Sequence, residues 1–270
     1  MRASIGSPIS FPPVEDAMNA LDYVSVEAAA GLPGLRVAFS RGVPGPWGFG
    51  ARAILEYKAI PFVATPQIPG EPNAALQRWT GQTSAPVAVL NDERPRASWW
   101  EIILLAERLA PERPLIPKAE DDRAMMFGLC HELCAEDGLG WSLRMMMFGL
   151  REPQGDPKAA VLTRKYNSGE GFEHSRTRVN AVVDLLARRL AAQAARGSAF
   201  LVGDVLSAAD FYFAGFSNFL RGLPQDVCLM PAYYRVLCDD VLPHLRPVPE
   251  ILFEHRDRIV RRYLTIPMSF

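Results

Sequence analysis

Between Gly42 and Gly50 the stretch "RGVPGPWGFGARAILEYKAIPF" (residues 41–62) offers glycines, prolines and Trp47, but no side chain able to act as a nucleophile or base at neutral pH. Chemistry there has to come from backbone amides and shape. Glycine lets a ligand approach the main chain, and a helix start leaves its first amides without partners. Ser40, just before the loop, is the nearest hydroxyl, and a strand-end serine can equally serve to satisfy loop amides. Arg52, one turn into the helix that follows, reads as a partner in a surface or interdomain salt bridge.

Three further motifs carry backbone or side-chain chemistry. In "SAPVAVL" (84–90) a proline leads an apolar strand. A trans bond there makes an edge-strand start, whereas a cis Ala85–Pro86 bond makes a tight bend that exposes neighbouring backbone groups. "SWWE" (98–101) is a capping box in which Ser98 and Glu101 satisfy each other's backbone amides. The same helix start, with a hydroxyl and free amides, is a seat for a carboxylate. "SAAD" within "LVGDVLSAADFYFAGF" (201–216) is a second capping box, read as a device that starts a buried helix. In "GWSLRMMMFGL" (140–150), Met145, Met146, Met147 and Phe148 cannot all face one side of a helix, so part of the run is core. Methionine also suits an adaptable apolar pocket.

Positioning these motifs requires two kinds of architecture. "LRVAFS" (35–40), "PFVATPQ" (61–67) and "SAPVAVL" read as short strands, with the charged turn after the third leading to a fourth strand candidate. Helical patterns run from Phe49 to Ile60 and through "SWWEIILLAERLA" (98–110), and a proline-rich linker, "PERPLIPKAED", follows. Beyond it strand signals stop, and helices are expected over about 120–150, 168–196, 207–221, 231–243 and 249–264. The expected organisation is an extension over 1–34, an α/β domain over 35–113 and an all-helical domain over 114–270. "VEDAMNALDYV" gives the extension one modest helical stretch.

Composition limits the function classes. The 270 residues are 49% apolar and 22% charged, which predicts a packed core. A net charge near −1 gives no whole-chain reason to bind nucleic acid or an acidic membrane, and the basic "RDRIVRRYL" reads as a solvated helix face. No signal-peptide pattern or membrane-spanning run is seen, so a cytoplasmic protein is expected. Cys130 and Cys134 lie one helical turn apart while His131 points elsewhere, so the cysteines read as buried thiols and no metal site is expected.

Taken in order, "SAPVAVL", "ASWWEIILLAERLAPERPLIP" and "GDVLSAADFYF" make the chain resemble the cytosolic glutathione S-transferase superfamily over roughly residues 35 to 245. The resemblance implies a thioredoxin-like domain, then an all-α helical-bundle domain, with glutathione bound between them as substrate or cofactor. It implies that Ala85, ahead of Pro86, offers its backbone to the cysteinyl part, and that Ser98 holds the γ-glutamyl carboxylate. Ala97 stands where the family commonly has an acidic residue, so Glu101 or a partner subunit would grip the amino group. Trp47 and Gly48 stand where the family's serine or cysteine would be, and its tyrosine position falls near Phe39 and Ser40. With that hydroxyl or thiol missing, the Gly48 and Phe49 amides become the candidate activators of the thiol, with Ser40 nearby and Trp47 as a wall. Arg144, Met147, Phe148 and Tyr166 would line the pocket for an apolar electrophile. A homodimer is expected, both from the family and from the apolar 140–150 run. The alternatives are a non-catalytic binding protein of the same fold, or a glutathione-dependent isomerase or reductive cleavage enzyme.

Overall fold

The computed structural model describes residues 21–151, 153, 155, 157–166 and 171–270. Most of the "VEDAMNALDYV" stretch lies outside them. A short helix α1 (Val26–Ala30) precedes β1 (Leu35–Ser40), α2 (Pro46–Tyr57), β2 (Val63–Gln67), α3 (Ala74–Thr80), β3 (Val87–Leu90) and α4 (Trp99–Leu109). The strands form one sheet in the order β2-β1-β3, with β2 parallel and β3 antiparallel to β1. Five consecutive residues of β1, Leu35 to Phe39, are buried, as a central strand covered on both faces demands. Pro66 sits in β2 at the sheet edge, opposite Phe39. Beside that strand, the Val24 amide donates to the Ala64 carbonyl at 2.9 Å, which ties the preceding segment to the sheet. The fourth strand reduces to a single bridge between Ala88 and Arg96. Helix α3, which the sequence reading passed over, completes the first half.

The second half is helical: α5 (Glu120–Cys134), α6 (Leu139–Arg151), α7 (Pro157–Tyr166), α8 (Phe172–Ala195), α9 (Ala208–Ser217), α10 (Ala232–Asp239) and α11 (Glu250–Tyr263). The helix expected over 120–150 is two helices. Asp137, at φ 61°, turns the chain between them, and the adjoining Gly138 has carbonyls 2.8 Å from where a Cβ would stand. Helix α9 is buried along its whole length and forms the centre of this half. Its start is held by Asp210, which accepts from the Leu201 and Ser207 amides and the Ser207 hydroxyl, each at 2.9 Å. Four acceptor positions on a carboxylate can take these three donors, so its burial is compensated.

The two halves meet through α2 and α9 with almost no spacing. A Cβ on Gly50 would lie 2.4 Å from the Tyr212 ring, and one on Gly215 would lie 2.9 Å from the Pro46 carbonyl oxygen. The last residues reinforce this contact from outside. Phe270 packs edge-on to Phe39 at 6.2 Å, and its carbonyl accepts from the Gly42 amide at 2.7 Å. Arg52 is spent here, not in a surface bridge: it is buried, pairs with Glu56, donates to the Ser269 carbonyl and lies 5.2 Å over the Phe270 ring. On α11, Arg258, Arg261 and Arg262 are exposed, but Arg256 is buried and donates to the Arg221 carbonyl.

Candidate functional site

A cleft of about 380 Å³ lies between the two halves. One wall comes from the end of β1 (Ser40), the loop and start of α2 (Val43 and Gly45 to Gly48), Gln67 and Ser84–Ala85; the other comes from α6, α7 and α10. The sequence predicts part of this assembly. Ser40, Trp47, Gly48, Ala85, Arg144, Met147, Phe148 and Tyr166 all line the cleft, whereas Phe49, Pro86, Ser98 and Glu101 do not.

The helix start explains the first difference. Gly45 caps α2 and Pro46 occupies its first turn, so one of the four leading amides is absent. The Phe49 amide already donates to the Gly45 carbonyl at 2.8 Å, and its ring is fully buried. Among the described residues, the Trp47 and Gly48 amides have no acceptor, so the free amides of this helix start are those two and not that of Phe49. The Trp47 indole is pinned by a 2.8 Å bond to the Cys134 carbonyl and by edge-on packing on Phe216 at 4.9 Å. Ser40 donates to Gln67 Oε1 at 2.9 Å, and Gln67 Nε2 donates onward to the Ile68 carbonyl at 3.0 Å. The serine thus ties two strand ends together beside the cleft.

The Ala85–Pro86 peptide is cis. Ala85 faces the cleft while Pro86 is buried. Just before it, the Ser84 hydroxyl and the Tyr166 phenol are 3.0 Å apart. Ser98 and Glu101 form the cap of α4, outside the lining of the cleft. The Ser98 amide donates to Glu101 Oε2 at 3.2 Å, and Glu101 Oε1 accepts from Arg94 at 2.6 Å. Burial works against ionisation of Glu101, but the bonds from Arg94 and Ser98 outweigh it and hold its carboxyl below the usual range.

On the helical wall, Met147 and Phe148 face the cleft, while Leu143 and Met146 are fully buried core. The Arg144 guanidinium is stacked 4.2 Å over Trp47 and 4.4 Å over Tyr166. Being packed among rings strips it of water and lowers its pKa, an effect that the nearby Tyr166 and Tyr234 phenols only partly oppose. Burial alone would raise the Tyr166 pKa; Arg144, the bond to Ser84 and Lys165 together reverse this and hold the phenol below its ordinary value. Gln67, Ser84 and Lys165 were missed from sequence. Ser84 stood inside the quoted "SAPVAVL", but nothing local marked its link to a tyrosine 82 residues away.

The four cysteines are buried and unpaired. Burial pushes the Cys130 and Cys134 thiols well up, which suits core packing and not reactivity. Among the described residues, no group of three or more histidines, cysteines and acids could hold a metal, and no helix is long and apolar enough to cross a membrane.

No family model and no curated protein matches the chain. Solved structures do. A glutathione S-transferase from Methylobacillus flagellatus KT with glutathione bound superposes with a TM-score of 0.60 at 15% identity, covering 84% of this chain and 95% of that one. One from Methylobacterium radiotolerans, in complex with glutathione sulfonate, gives 0.57 at 16% identity, over 87% and 98%. The β-etherase LigF from Sphingobium gives 0.54 at 16%, over 82% and 98%. The chain therefore has the glutathione S-transferase fold, a thioredoxin-like domain followed by an all-helical one.

Proposed function

We propose that this chain is a glutathione transferase of the cytosolic superfamily. The observation that carries the reading is the pair of amides, Trp47 and Gly48, that have no acceptor among the described residues, at the start of α2 on a cleft that also contains Ala85. Glutathione would lay its cysteinyl part along Ala85 and point its sulfur at those two amides. A helix N-terminus carries roughly half a positive charge, which favours the thiolate over the thiol. The thiol proton leaves to solvent, and the thiolate attacks an electrophile held against Met147 and Phe148. Ser40, already donating to Gln67, is not needed for this step.

The γ-glutamyl carboxylate is assigned to Ser98 and the start of α4, so the peptide would extend beyond the cleft. Glu101, engaged by Arg94, is poorly placed to grip the amino group as well. The Ser98→Ala variant should lose more glutathione affinity than fold stability, because a lost cap costs about 1 kcal/mol and a lost charge-assisted hydrogen bond about 1.5–3 kcal/mol. Calorimetric titration beside a thermal melt measures both, and equal affinities would remove Ser98 from the site. The reading as a whole is tested by glutathione titration of the unaltered protein, followed by turnover of aryl halides and epoxides. No heat of binding would reject it.

A second reading, reductive cleavage of an ether with glutathione, takes its support from the similarity to the β-etherase. Binding without turnover of any electrophile would favour the non-catalytic alternative. Buried free thiols fit a cytoplasmic setting. The active form is proposed to be a homodimer joined through the outer face of α4, where Trp100 and Leu104 are 44% and 41% exposed.

A further inference from the structure

Among the described residues, Arg144 is a cation without a counter-ion in a largely apolar wall. Stacked between the faces of Trp47 and Tyr166, its guanidinium makes no hydrogen bond or ion pair among the described residues. Ring faces stabilise a cation but leave the donors in the guanidinium plane open to a ligand. The other cations of this wall are differently placed. Arg151 is paired with Asp240, and Lys165 donates to the Thr83 hydroxyl at 2.9 Å. The one carboxylate on the described lining, Glu71, belongs to the opposite wall beyond β2. Arg144, Met147 and Phe148 stand at i, i+3 and i+4 on α6, so cation and apolar surface share one helix face.

An unpaired, partly dehydrated cation is costly unless something binds it. We propose that the electrophile taken by this cleft is an amphipathic acid, its apolar body against Met147 and Phe148 and its carboxylate on the Arg144 fork. A planar guanidinium suits a carboxylate bidentately, so the residue sets specificity within the pocket. The inference rests on the transferase reading for the reaction and on the cleft alone for the anion. With an aryl chloride acid as probe, the glutathione thiolate bonds to the ring carbon bearing chlorine. The C–Cl bond then breaks, and chloride leaves with its electron pair.

The test pairs 4-chloro-3-nitrobenzoate with 4-chloro-3-nitrobenzamide, which differ in charge at the same position. Arg144→Gln should reduce the acid-to-amide ratio of kcat/KM by about 10- to 100-fold, the size of a charge-assisted hydrogen bond. Arg144→Lys should retain part of the preference. Comparing this ratio between wild type and variant cancels the different intrinsic reactivity of the two probes. An unchanged ratio in Arg144→Gln would overturn the proposal, and so would a loss confined to the KM for glutathione, which would place Arg144 on the peptide instead. Calorimetry of both probes with the unaltered protein needs no variant to fold: the acid should bind more tightly, and equal binding would sink the idea. If the acid binds preferentially but neither probe is turned over with glutathione, the anion seat stands and the transferase reading fails. If both are turned over without preference for the acid in binding, the reverse holds.

Discussion

Tyr166 and Arg144 show how two residues set each other's chemistry at the edge of a cleft. The phenol is buried enough that ionisation should be disfavoured, yet the guanidinium 4.4 Å away, with Ser84 and Lys165, brings its pKa below the ordinary value. Arg144→Gln removes the largest of the favourable influences, so the Tyr166 pKa should rise. Ultraviolet difference titration against Tyr166→Phe reads the change, and an unmoved titration would show that Arg144 does not govern the phenol. A pKa lower in the folded than in the unfolded state stabilises the fold above the unfolded value, near 10, and that contribution disappears as pH falls through the folded pKa. The stability difference between wild type and Tyr166→Phe should therefore grow in alkaline solution and be flat at neutral pH. Both residues could be named from sequence as pocket candidates. Their mutual stacking could not, because α6 and α7 meet only in the folded chain.

At the level of elements, close contact of α9 with α2 and α6 positions the cleft. Gly140 on α6 lies against Phe216, where an added Cβ would fall 1.9 Å from a ring carbon, and Phe216 in turn packs against Trp47. Gly140→Ala should destabilise by about 1–3 kcal/mol through overpacking and should disturb Trp47. Gly149→Ala on the same helix meets only the Phe172 ring at 3.6 Å, an ordinary contact, and should be neutral or gain up to about 1 kcal/mol. Equal melting temperatures for the two variants would mean that the α6–α9 spacing is not what holds the site. These contacts explain how far sequence reasoning reached. Strands β1 to β3, the cap of α4 and the cap of α9 were legible because each rests on local patterns: an apolar run, S-x-x-E and S-x-x-D. Helix α3 is not legible in the sequence, since "NAALQRWT" is only two turns long and starts at Asn73, in a left-handed conformation with no side-chain cap bond. The break between α5 and α6 was not seen either, because the apolar rhythm continues on both sides of Asp137. A helix start at Phe49 would leave its amide free; with Pro46, three residues earlier, as the first helical residue, that amide belongs to the helix.

For the whole molecule, the apolar 140–150 run gives no support to a dimer, because Met145, Met146 and Met147 are buried within one chain. The exposed Trp100 and Leu104, one turn apart on α4, are the better basis. Light scattering should give a dimer for the wild type and a monomer for Trp100→Glu/Leu104→Glu, whereas a monomeric wild type would refute the assembly. The larger proposal is that the cleft between the two halves activates a thiol with backbone amides in place of a side-chain hydroxyl. The direct measurement is the ultraviolet titration of the glutathione thiol bound to wild type, Ser40→Ala, Gly48→Ala and Gly48→Pro. A Cβ on Gly48 would meet Phe39 at 3.5 Å, an ordinary contact, so the alanine variant keeps the amide without a clash. The proline variant deletes the donor, and a thermal melt checks its fold. The thiol pKa should lie well below the free value in wild type, Ser40→Ala and Gly48→Ala, and should rise toward the free value in Gly48→Pro. A pKa that returns to the free value in Ser40→Ala, or that is never lowered in wild type, would contradict it.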